Sequence, residues 1–410
     1  MNFYIMVDAM RKLEDIINND LCLGCGLCSA ISSTGKMKLQ PDGFYRPQCE
    51  LTKSEEQLIV NLCPGINVRN TNDGHSSIWG KVDSVVEAWA VDEDIRHYSS
   101  SGGVTTALCL YLLECQKVDA ILQVGVNDDS NLYNSLKVSR NKDDVIKCSS
   151  SRYAPASVFD NIFRILDDSK DVFAMVGKPC DIACMRNIIT AFPQYKGRIK
   201  YFLSIFCAGM PSYNATLQAI DSFGRKDEKP SALRYRGNGW PGCFEVKFAD
   251  GTSYSMTYTE SWSKILGRQL CFRCKICPDG IGLLADISSG DAWNTKNGYP
   301  DFTESKGKNF CFIRTKEGHL LFEEAVKSGY IEKKSVEISN IRNMQSYQYD
   351  RRRLVGWRLL VVQMMTKGLL SFKGLGIKLA LLTRPQIIVA EVIGTVKRLK
   401  SVRIKRSKNK

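Results

Sequence analysis

The sequence has 410 residues, of which 44% are hydrophobic and 24% charged, and its formal net charge is +14. This length suffices for one large α/β domain with appendages or for two to three smaller domains, and no apolar run reaches the ~18 residues of a membrane-spanning helix. Sixteen cysteines without a secretory signal exclude a disulfide framework and indicate a reducing compartment, the cytoplasm, while only three histidines argue against a histidine-built metal site.

The first motif of the chain is the segment "LCLGCGLCSAISSTG". Cys22, Cys25 and Cys28 have the C-x2-C-x2-C spacing with which three thiolates bind three irons of one iron–sulfur cluster. A bacterial ferredoxin continues with Cys-Pro, but this chain has Ser32 and Ser33 at those positions. The fourth ligand must therefore come from elsewhere.

That ligand is predicted to be Cys63, which precedes Pro64. In two-cluster ferredoxins the Cys-Pro that closes one run binds the other cluster, and the positions that would complete a second run here, 53, 56 and 59, hold no cysteine. We therefore predict a ferredoxin-like module over residues 1–75 with a single [4Fe–4S] cluster, followed by the polar linker "NTNDGHSS". Tetrahedral zinc is the alternative, because three close thiolates and one remote thiolate suit it as well.

Strand-like and helix-like segments alternate from residue 80 to about residue 345. "AILQVGV", "VFAMVG" and "YFLSIFCAG" are typical of strands, whereas "GGVTTALCLYLLECQ" and "CDIACMRNIITAF" space their apolar residues as helices do. This alternation predicts an α/β domain with a mixed sheet, so that the whole chain is α+β. "FEVKFADGTSYSMTY" predicts a hairpin with an Asp-Gly turn.

A serine- and glycine-rich loop precedes the first strongly apolar helix, in "YSSSGGVTTAL". Glycines let the backbone approach a ligand, and the free N–H groups of a helix N-terminus bind anions. The hydroxyls of Ser100, Ser101 and Thr105 can add hydrogen bonds. The loop is neither G-x-G-x-x-G nor a Walker A motif, which disfavours ATP; a plain helix cap is the alternative interpretation.

A second candidate is "SSSRYAPAS". Here Arg152 can form a fork onto a phosphate and Tyr153 can cover a ring. Surface loops also contain such triplets by chance.

A second cysteine cluster occurs in "LCFRCKICPDG". Cys271, Cys274 and Cys277 repeat the C-x2-C-x2-C spacing, and three ligands need a fourth. Cys180 and Cys207 each follow a predicted strand, where the loops of an α/β domain gather. Spacing does not choose between them, and a buried structural cysteine is the alternative for each.

The positive charge is concentrated at the C-terminus. Residues 351–410 contain 16 Lys and Arg against one acid, and the other 350 residues carry 41 basic and 42 acidic side chains. We predict a helical basic extension over 346–410 that caps the core and ends in the disordered segment "KRLKSVRIKRSKNK". Peripheral contact with an anionic membrane is the competing interpretation. No nucleic-acid partner is predicted, because a basic tail does not indicate nucleic-acid binding unless a domain that recognises bases accompanies it.

Several of these segments, in this order, resemble the coenzyme F420 hydrogenase/dehydrogenase beta-subunit family: "SSSGGVTTAL", "SSRYAPAS", "VGKPCDIACMR", "FCAG", "YRGNGWPG" and "CKICPDGIGLLADISSGDAW". The resemblance runs from about Asp20 to about Tyr330. Members of this family are iron–sulfur flavoproteins. The segments "RGNGWPG" and "CPDG" resemble a bacterial branch of the family whose genes are often found beside surface-polysaccharide genes.

The resemblance implies FAD and two [4Fe–4S] clusters as cofactors, with residues 80–345 as the FAD-binding domain carrying the second cluster. It assigns the following residues to FAD: Ser100, Ser101, Gly102, Gly103, Thr105, Ser151, Arg152 (a lysine in most members), Tyr153, Arg314 and Thr315. It assigns Cys207, Cys274 and Cys277 to the second cluster, with either Cys180 or Cys271 as the fourth ligand.

The implied function is that of an oxidoreductase. A ferredoxin-like external donor or acceptor exchanges electrons with the first cluster, and these pass through the second cluster and FAD to an unknown small-molecule substrate, or in reverse. Asn238, Trp240 and Asp291 are candidates to face that substrate, although structural turns are the favoured interpretation. The competing class is an electron-transfer subunit without a substrate of its own. The sequence identifies no catalytic acid or base.

Overall fold

The computed structural model describes residues 11–71 and 77–408. Most of the predicted linker, residues 72–76, lies outside the described residues, as do the first ten positions.

The strands of the described chain are numbered in chain order. They are β1 (Lys36–Leu39), β2 (Tyr45–Gln48), β3 (Asn67–Arg69), β4 (Ser84–Ala90), β5 (Ala120–Val126), β6 (Asn134–Ser139), β7 (Phe173–Gly177), β8 (Ile199–Ile205), β9 (Ala232–Arg234), β10 (Cys243–Lys247), β11 (Ser253–Thr257), β12 (Ile287–Asp291), β13 (Asn294–Lys296), β14 (Tyr299–Asp301), β15 (Asn309–Ile313), β16 (Ile331–Ser335) and β17 (Ser371–Lys373).

The helices are numbered in the same way. They are α1 (Leu13–Asn18), α2 (Leu27–Ile31), α3 (Lys53–Leu62), α4 (Glu93–Tyr98), α5 (Val104–Glu114), α6 (Lys142–Lys147), α7 (Ile162–Asp167), α8 (Pro179–Ala191), α9 (Tyr213–Asp221), α10 (Phe272–Lys275), α11 (Lys316–Lys327), α12 (Ile341–Met344), α13 (Ser346–Met365) and α14 (Pro385–Lys408). A π-helical segment, Thr259–Ile265, and short 3₁₀ turns complete the set.

A mixed eight-stranded sheet forms the centre of the molecule, in the order β16-β4-β15-β12-β8-β7-β5-β6. The inner strands β5, β7, β8 and β12 are parallel, and the strands outside them are antiparallel to their neighbours. Helices α5 and α11 bury their apolar residues in the core on one face, and α7 and α8 contribute to the core on the other. Strands covered on both faces need continuous apolar runs, which "AILQVGV" and "VFAMVG" supply. The predicted mixed α/β sheet is confirmed.

The predicted hairpin is formed by β10 and β11, which pair with Cys243 opposite Thr257, and β9 extends this small antiparallel sheet. Its turn contains Gly251 at a φ of +83°, in the left-handed region that glycine adopts without steric cost.

The two ends of the chain share one core. Strand β17 pairs in parallel with β3, and Val355, Leu359 and Leu399 pack against Leu21 and Val60. The C-terminal extension is therefore built into the fold beside the first cysteine motif.

The prediction that the basic end is disordered is wrong, because α14 continues to Lys408. Leu399 on this helix is fully buried. Arg406 pairs with Asp20 at 2.5 Å and with Asp42 at 2.7 Å, and Arg403 donates to the carbonyl oxygen of Met365. The partners of Arg403 and Arg406 are remote in sequence, and they hold the basic end of the chain against the rest of the protein. Among the described residues, no helix combines the length and apolar character needed to cross a membrane.

Candidate functional site

The carboxyl ends of β7, β8 and β12 meet at one edge of the sheet, because these strands are parallel. Lys178 follows β7, Phe206 follows β8 and Asp291 ends β12. All three line a cavity of about 230 Å³ at this edge, which we call the serine–glycine cleft.

The structure brings most of the predicted cofactor residues together around this cleft. Its lining includes Ser100, Ser101, Gly103, Thr105, Ser151, Arg152 and Tyr153. The two loops contact each other directly, since the backbone N–H of Ser151 donates to Ser100 Oγ at 2.7 Å. Gly102 belongs to the same loop but not to the lining.

The loop that precedes α5 ends at Gly103, which is the N-cap at a φ of +76° and has no side chain to accept from the first turn. The N–H of Val104 in that turn donates to Asn309 Oδ1 at 3.4 Å. A Cβ on Gly102 would lie 2.7 Å from Lys308 Cα, so the loop runs against the backbone beside β15. The N-terminal N–H groups of an eleven-residue helix thus border the cleft, which suits an anion.

Arg152 lines the cleft but commits its guanidinium to the protein. Nε donates to Asn134 Oδ1 and Nη1 to the carbonyl oxygen of Leu233, both at 2.7 Å, and Nη2 donates to the carbonyl oxygen of Asn131 at 3.1 Å. Burial lowers the pKa of this arginine. The Arg152 side chain therefore holds the loop in place, and its guanidinium could bind a phosphate through two nitrogens only if some of these hydrogen bonds broke.

Arg314 and Thr315 lie outside the cleft lining. Arg314 is buried and donates to the carbonyl oxygens of Trp79, Lys81 and Ile281, and burial lowers its pKa to about 10. Thr315 caps α11 by accepting from the N–H of Gly318 at 3.0 Å. The structure therefore gives both residues structural contacts.

Of the three residues predicted to face the substrate, Asp291 lines the cleft, whereas Trp240 and Asn238 do not. Asp291 lines the cleft and accepts from both Nη atoms of Arg236, at 2.7 and 2.9 Å. Trp240 is buried and donates its Nε1–H to Asp291 Oδ1 at 2.9 Å. Asn238 has a φ of +57° and donates to Glu245, which is a turn function.

A second cavity of about 350 Å³ adjoins the first and shares with it the wall formed by Ser151–Ala154, Lys178, Phe206 and Asp291. Its lining is rich in aromatic side chains: Tyr153, Phe206, Tyr258, Trp262, Trp293 and Phe302. We call it the aromatic cleft. Sequence analysis did not single out most of these residues, because they come from segments far apart in the chain.

Lys178 is a functional candidate that the analysis of motifs missed. It lines both clefts and a third, smaller cavity among the cysteines. Its Nζ donates to Asp181 Oδ2 at 2.7 Å. Burial alone would lower the pKa of Lys178, but the Asp181 carboxylate and the Cys180 sulfur raise it above the usual value. The signal was present in "VGKPC", where a lysine directly follows a buried strand.

The first cysteine group consists of Cys22, Cys25, Cys28 and Cys63. Burial raises the pKa of Cys28, and the sulfurs of Cys63 and Cys22 add to this shift. The N–H of Gly24 donates to Cys22 Sγ at 3.4 Å, an arrangement that stabilises a thiolate.

The second cysteine group consists of Cys180, Cys207, Cys274 and Cys277, which line a cavity of about 20 Å³. The N–H of Met210 donates to Cys274 Sγ at 3.4 Å. Burial and the Asp181 carboxylate raise the pKa of Cys180, and the Cys207 and Cys277 sulfurs add to this shift.

Cys271 lies between the two groups and does not line that cavity. Its Sγ contacts the carbonyl oxygen of Cys22 at 3.8 Å. A hydrogen bond between the Cys271 and Cys274 sulfurs lowers the pKa of Cys271 and raises that of Cys274. Of the two candidates for the fourth ligand, Cys180 is the one gathered with Cys207 and Cys277.

Within residues 11–71 and 77–408, no three Cys, His, Asp or Glu side chains are gathered tightly enough to hold a single metal ion. Four thiolates around one zinc ion converge on bonds of about 2.3 Å, whereas each thiolate of an iron–sulfur cube binds a different iron. Each of the two groups has four cysteines, which is the number and type of ligand that such a cube takes, and four of these eight side chains are only partly buried.

Comparison with known proteins shows the family of the chain. Family models for the coenzyme F420 hydrogenase/dehydrogenase beta subunit match residues 85–162 with the N-terminal part and residues 171–339 with the C-terminal part.

Two relatives are similar to most of the chain. A coenzyme F420-dependent sulfite reductase of Methanocaldococcus jannaschii is 24% identical over 83% of this chain, and the chain spans about half (51%) of that protein's length. The coenzyme F420 hydrogenase subunit beta of Methanococcus voltae is 25% identical over 63% of this chain and 86% of its own length.

A solved structure shares the fold. A chain of the F420-reducing [NiFe] hydrogenase complex from Methanosarcina barkeri aligns with a TM-score of 0.53 and 21% identity, covering 74% of this chain and 97% of that one. The family models together account for more than half of the sequence. The chain therefore belongs to the coenzyme F420 hydrogenase/dehydrogenase beta-subunit family.

Proposed function

We propose that this chain is an iron–sulfur flavoprotein oxidoreductase that passes electrons between an external one-electron carrier, two cysteine-bound [4Fe–4S] clusters, FAD and a small-molecule substrate. The observation that carries the proposal is the continuity of the four sites. Cys25 of the first cysteine group lines the cavity of the second group. Cys207 of the second group lines the aromatic cleft, which shares a wall with the serine–glycine cleft.

In this proposal the first cysteine group holds one cluster, the second group holds the other, and the serine–glycine cleft holds FAD. Ser100, Ser101, Thr105 and the N-terminus of α5 would bind its phosphates, and Tyr153 would lie against its ring. When bound, the clusters move single electrons and the flavin exchanges one or two, which lets it serve both one-electron carriers and a hydride acceptor.

The chain's own residues supply positive charge at the thiolates. Arg46 lowers the pKa of Cys22 against the larger effect of burial, which raises it to about 11. Lys178 acts in the same way on Cys180, and Arg351 on Cys207. Because burial leaves these thiols protonated near neutral pH, cluster binding must release protons, and the cations reduce that cost.

The first experiment is anaerobic purification with iron, zinc and flavin quantified on one sample. About eight irons and one FAD per chain, with absorbance near 400 nm that dithionite bleaches, are expected for two clusters and a flavin. Zinc without flavin would overturn the proposal.

A variant separates the electron path from flavin binding. Cys277→Ser should retain FAD and lose turnover driven by the one-electron donor, while the exposed Cys115→Ser serves as the matched control. Unchanged turnover in Cys277→Ser would contradict the proposed path.

A second candidate function is that of an electron-transfer subunit with no substrate of its own. It is favoured by the names of the relatives, which include subunits of a hydrogenase and a formate dehydrogenase, and by the solved structure, which is a hydrogenase complex. Reduction of a small molecule by the isolated chain would decide against it.

A further inference from the structure

The aromatic cleft has walls suited to a flat ring. Trp293 stacks on Trp240 with ring centroids 4.6 Å apart and 8° between the planes. Phe302 meets the edge of Trp293 at 4.9 Å, and Tyr258 lies 5.6 Å from both. Tyr153 and Trp262, which also line the cleft, lie with their ring centroids 4.9 Å apart. Such packing offers faces and edges of rings to a ligand, beside the neutral polar side chains of Ser151, Gln345 and Gln348 in the same lining.

The charges along this cleft are matched inside the protein. The Asp291 carboxylate is held by Arg236, and the Lys178 ammonium is paired with Asp181. The three nitrogens of Arg152 donate to protein acceptors. Among the described lining residues, no other Lys or Arg is present. A ligand bearing several phosphates or carboxylates would therefore enter without an unpaired cation to receive it.

Lys178 nevertheless retains donor capacity. An ammonium group has three N–H donors, and Asp181 accepts one of them at 2.7 Å. Lys178 stands in the wall common to both clefts. It is therefore placed to donate to a carbonyl oxygen on the edge of a ring that lies in the aromatic cleft beside the serine–glycine cleft.

We propose that the aromatic cleft binds a planar, conjugated and uncharged ring with carbonyl oxygens, of the quinone class, as the redox substrate. The inference rests on the proposed function for the source of electrons: reduced flavin supplies two electrons, and these with two protons convert the quinone to the hydroquinone. The binding itself depends only on the stacked walls, the matched charges and Lys178. It differs from an anionic coenzyme, for which this cleft provides no unpaired cation among its described residues.

The test measures binding of two matched probes to the protein as purified, without an electron donor. The probes are 2-(hydroxymethyl)anthraquinone, which is uncharged, and anthraquinone-2-sulfonate, which carries one negative charge on the same ring system. Quenching of tryptophan fluorescence reports binding, because Trp262 and Trp293 line the cleft. The uncharged probe should bind at least about tenfold more tightly, since the sulfonate must be desolvated without a partner. Equal or tighter binding of the sulfonate would overturn the proposal.

Two variants locate the binding site. Phe302→Ala and Tyr347→Ala each remove a lining ring that is substantially exposed, at 42% and 52%, so that folding should tolerate the loss. Each should weaken binding of the uncharged probe by about three- to tenfold. The control is Tyr299→Ala, which removes an exposed ring from the neighbouring strand β14 and should leave the affinity unchanged. Unchanged affinity in both lining variants would refute the assignment.

The flavin content of the filtrate after ultrafiltration provides a further criterion. Flavin that stays bound while the uncharged probe binds supports two separate sites, and release of flavin by the probe would show that the aromatic cleft is the site of the flavin ring. A preparation without iron or flavin would refute the proposed function, whereas the comparison of the two probes would still decide the nature of the cleft.

Discussion

Arg351 offers a direct test of how the chain controls the second cysteine group. Its side chain is 4% exposed. Nη1 donates to the carbonyl oxygen of Cys207 at 3.0 Å and Nη2 to that of Cys274 at 2.6 Å. Nε has no partner among the described residues. Although burial would lower the pKa of Arg351, the sulfurs of Cys277, Cys207 and Cys274 raise it. We predict that Arg351→Gln makes the cluster proposed for this group harder to reduce.

The size of the effect follows from Coulomb's law. A unit charge about 8 Å from the added electron, at an effective dielectric constant of about 20, contributes about 2 kcal/mol. For a one-electron couple this corresponds to a decrease of about 90 mV in the reduction potential.

The assay is a dye-mediated redox titration followed by electron paramagnetic resonance, with iron quantified in each sample. Arg351→Lys keeps the charge and should lower the potential by less than half as much. Arg353→Gln changes an arginine of the same helix that stacks on Tyr349, and it should leave the potential unchanged. If Arg351→Gln keeps its iron and its potential matches that of the Arg353 variant, the electrostatic argument fails.

Three further predictions concern stability and cofactor content. Cys180→Ser should lose about half of the iron, whereas Cys271→Ser should keep it; the reverse result in an iron assay would reassign the fourth ligand. Gly102→Ala should weaken flavin retention and destabilise the protein by about 1–3 kcal/mol, because its new Cβ meets backbone at 2.7 Å. Gly394→Ala, inside α14, should be neutral or stabilising by up to about 1 kcal/mol, and equal melting temperatures for the two glycine variants would contradict the steric argument. Two arginines, Arg46 and Arg406, pair with Asp20, and together they outweigh the effect of burial and lower the pKa of Asp20 below 3.8. The contribution of the ionised Asp20 to the free energy of unfolding is therefore complete above about pH 4 and is lost as the pH falls through the lowered pKa. Asp20→Asn should abolish this part of the acid dependence in thermal unfolding, and an unchanged pH profile would exclude Asp20 as its source.

The sequence was most informative where a local pattern has one structural outcome. Apolar runs flanked by turn residues predicted β5, β7 and β8 of the mixed sheet, and the Asp-Gly turn predicted the β10–β11 hairpin. The loops at Ser100 and Ser151 were assigned to one site by the family resemblance and not by a local pattern, and the two loops contact each other in the structure.

Contacts between distant segments were not predictable in this way. Spacing did not choose between Cys180 and Cys207, and the resemblance left Cys180 and Cys271 as alternatives; only the fold places Cys180 with Cys207. Arg152 carries the charge expected of a phosphate ligand, but its partners come from segments about 20 and 80 residues away. The basic C-terminal end was predicted as disordered for the same reason, since Arg406 finds its acids more than 360 residues away.

The parallel pairing of β3 with β17 has a consequence for biosynthesis. The strand beside Cys63 is completed by residues 371–373, so the first cysteine group gains its final neighbours about 300 residues after it leaves the ribosome. At ~5–20 residues per second, translation of that stretch takes about 15 to 60 seconds. During this interval the thiols of the first group lack the covering that α13 and α14 provide. A chain interrupted before β17 would therefore leave the first cysteine group without part of its core.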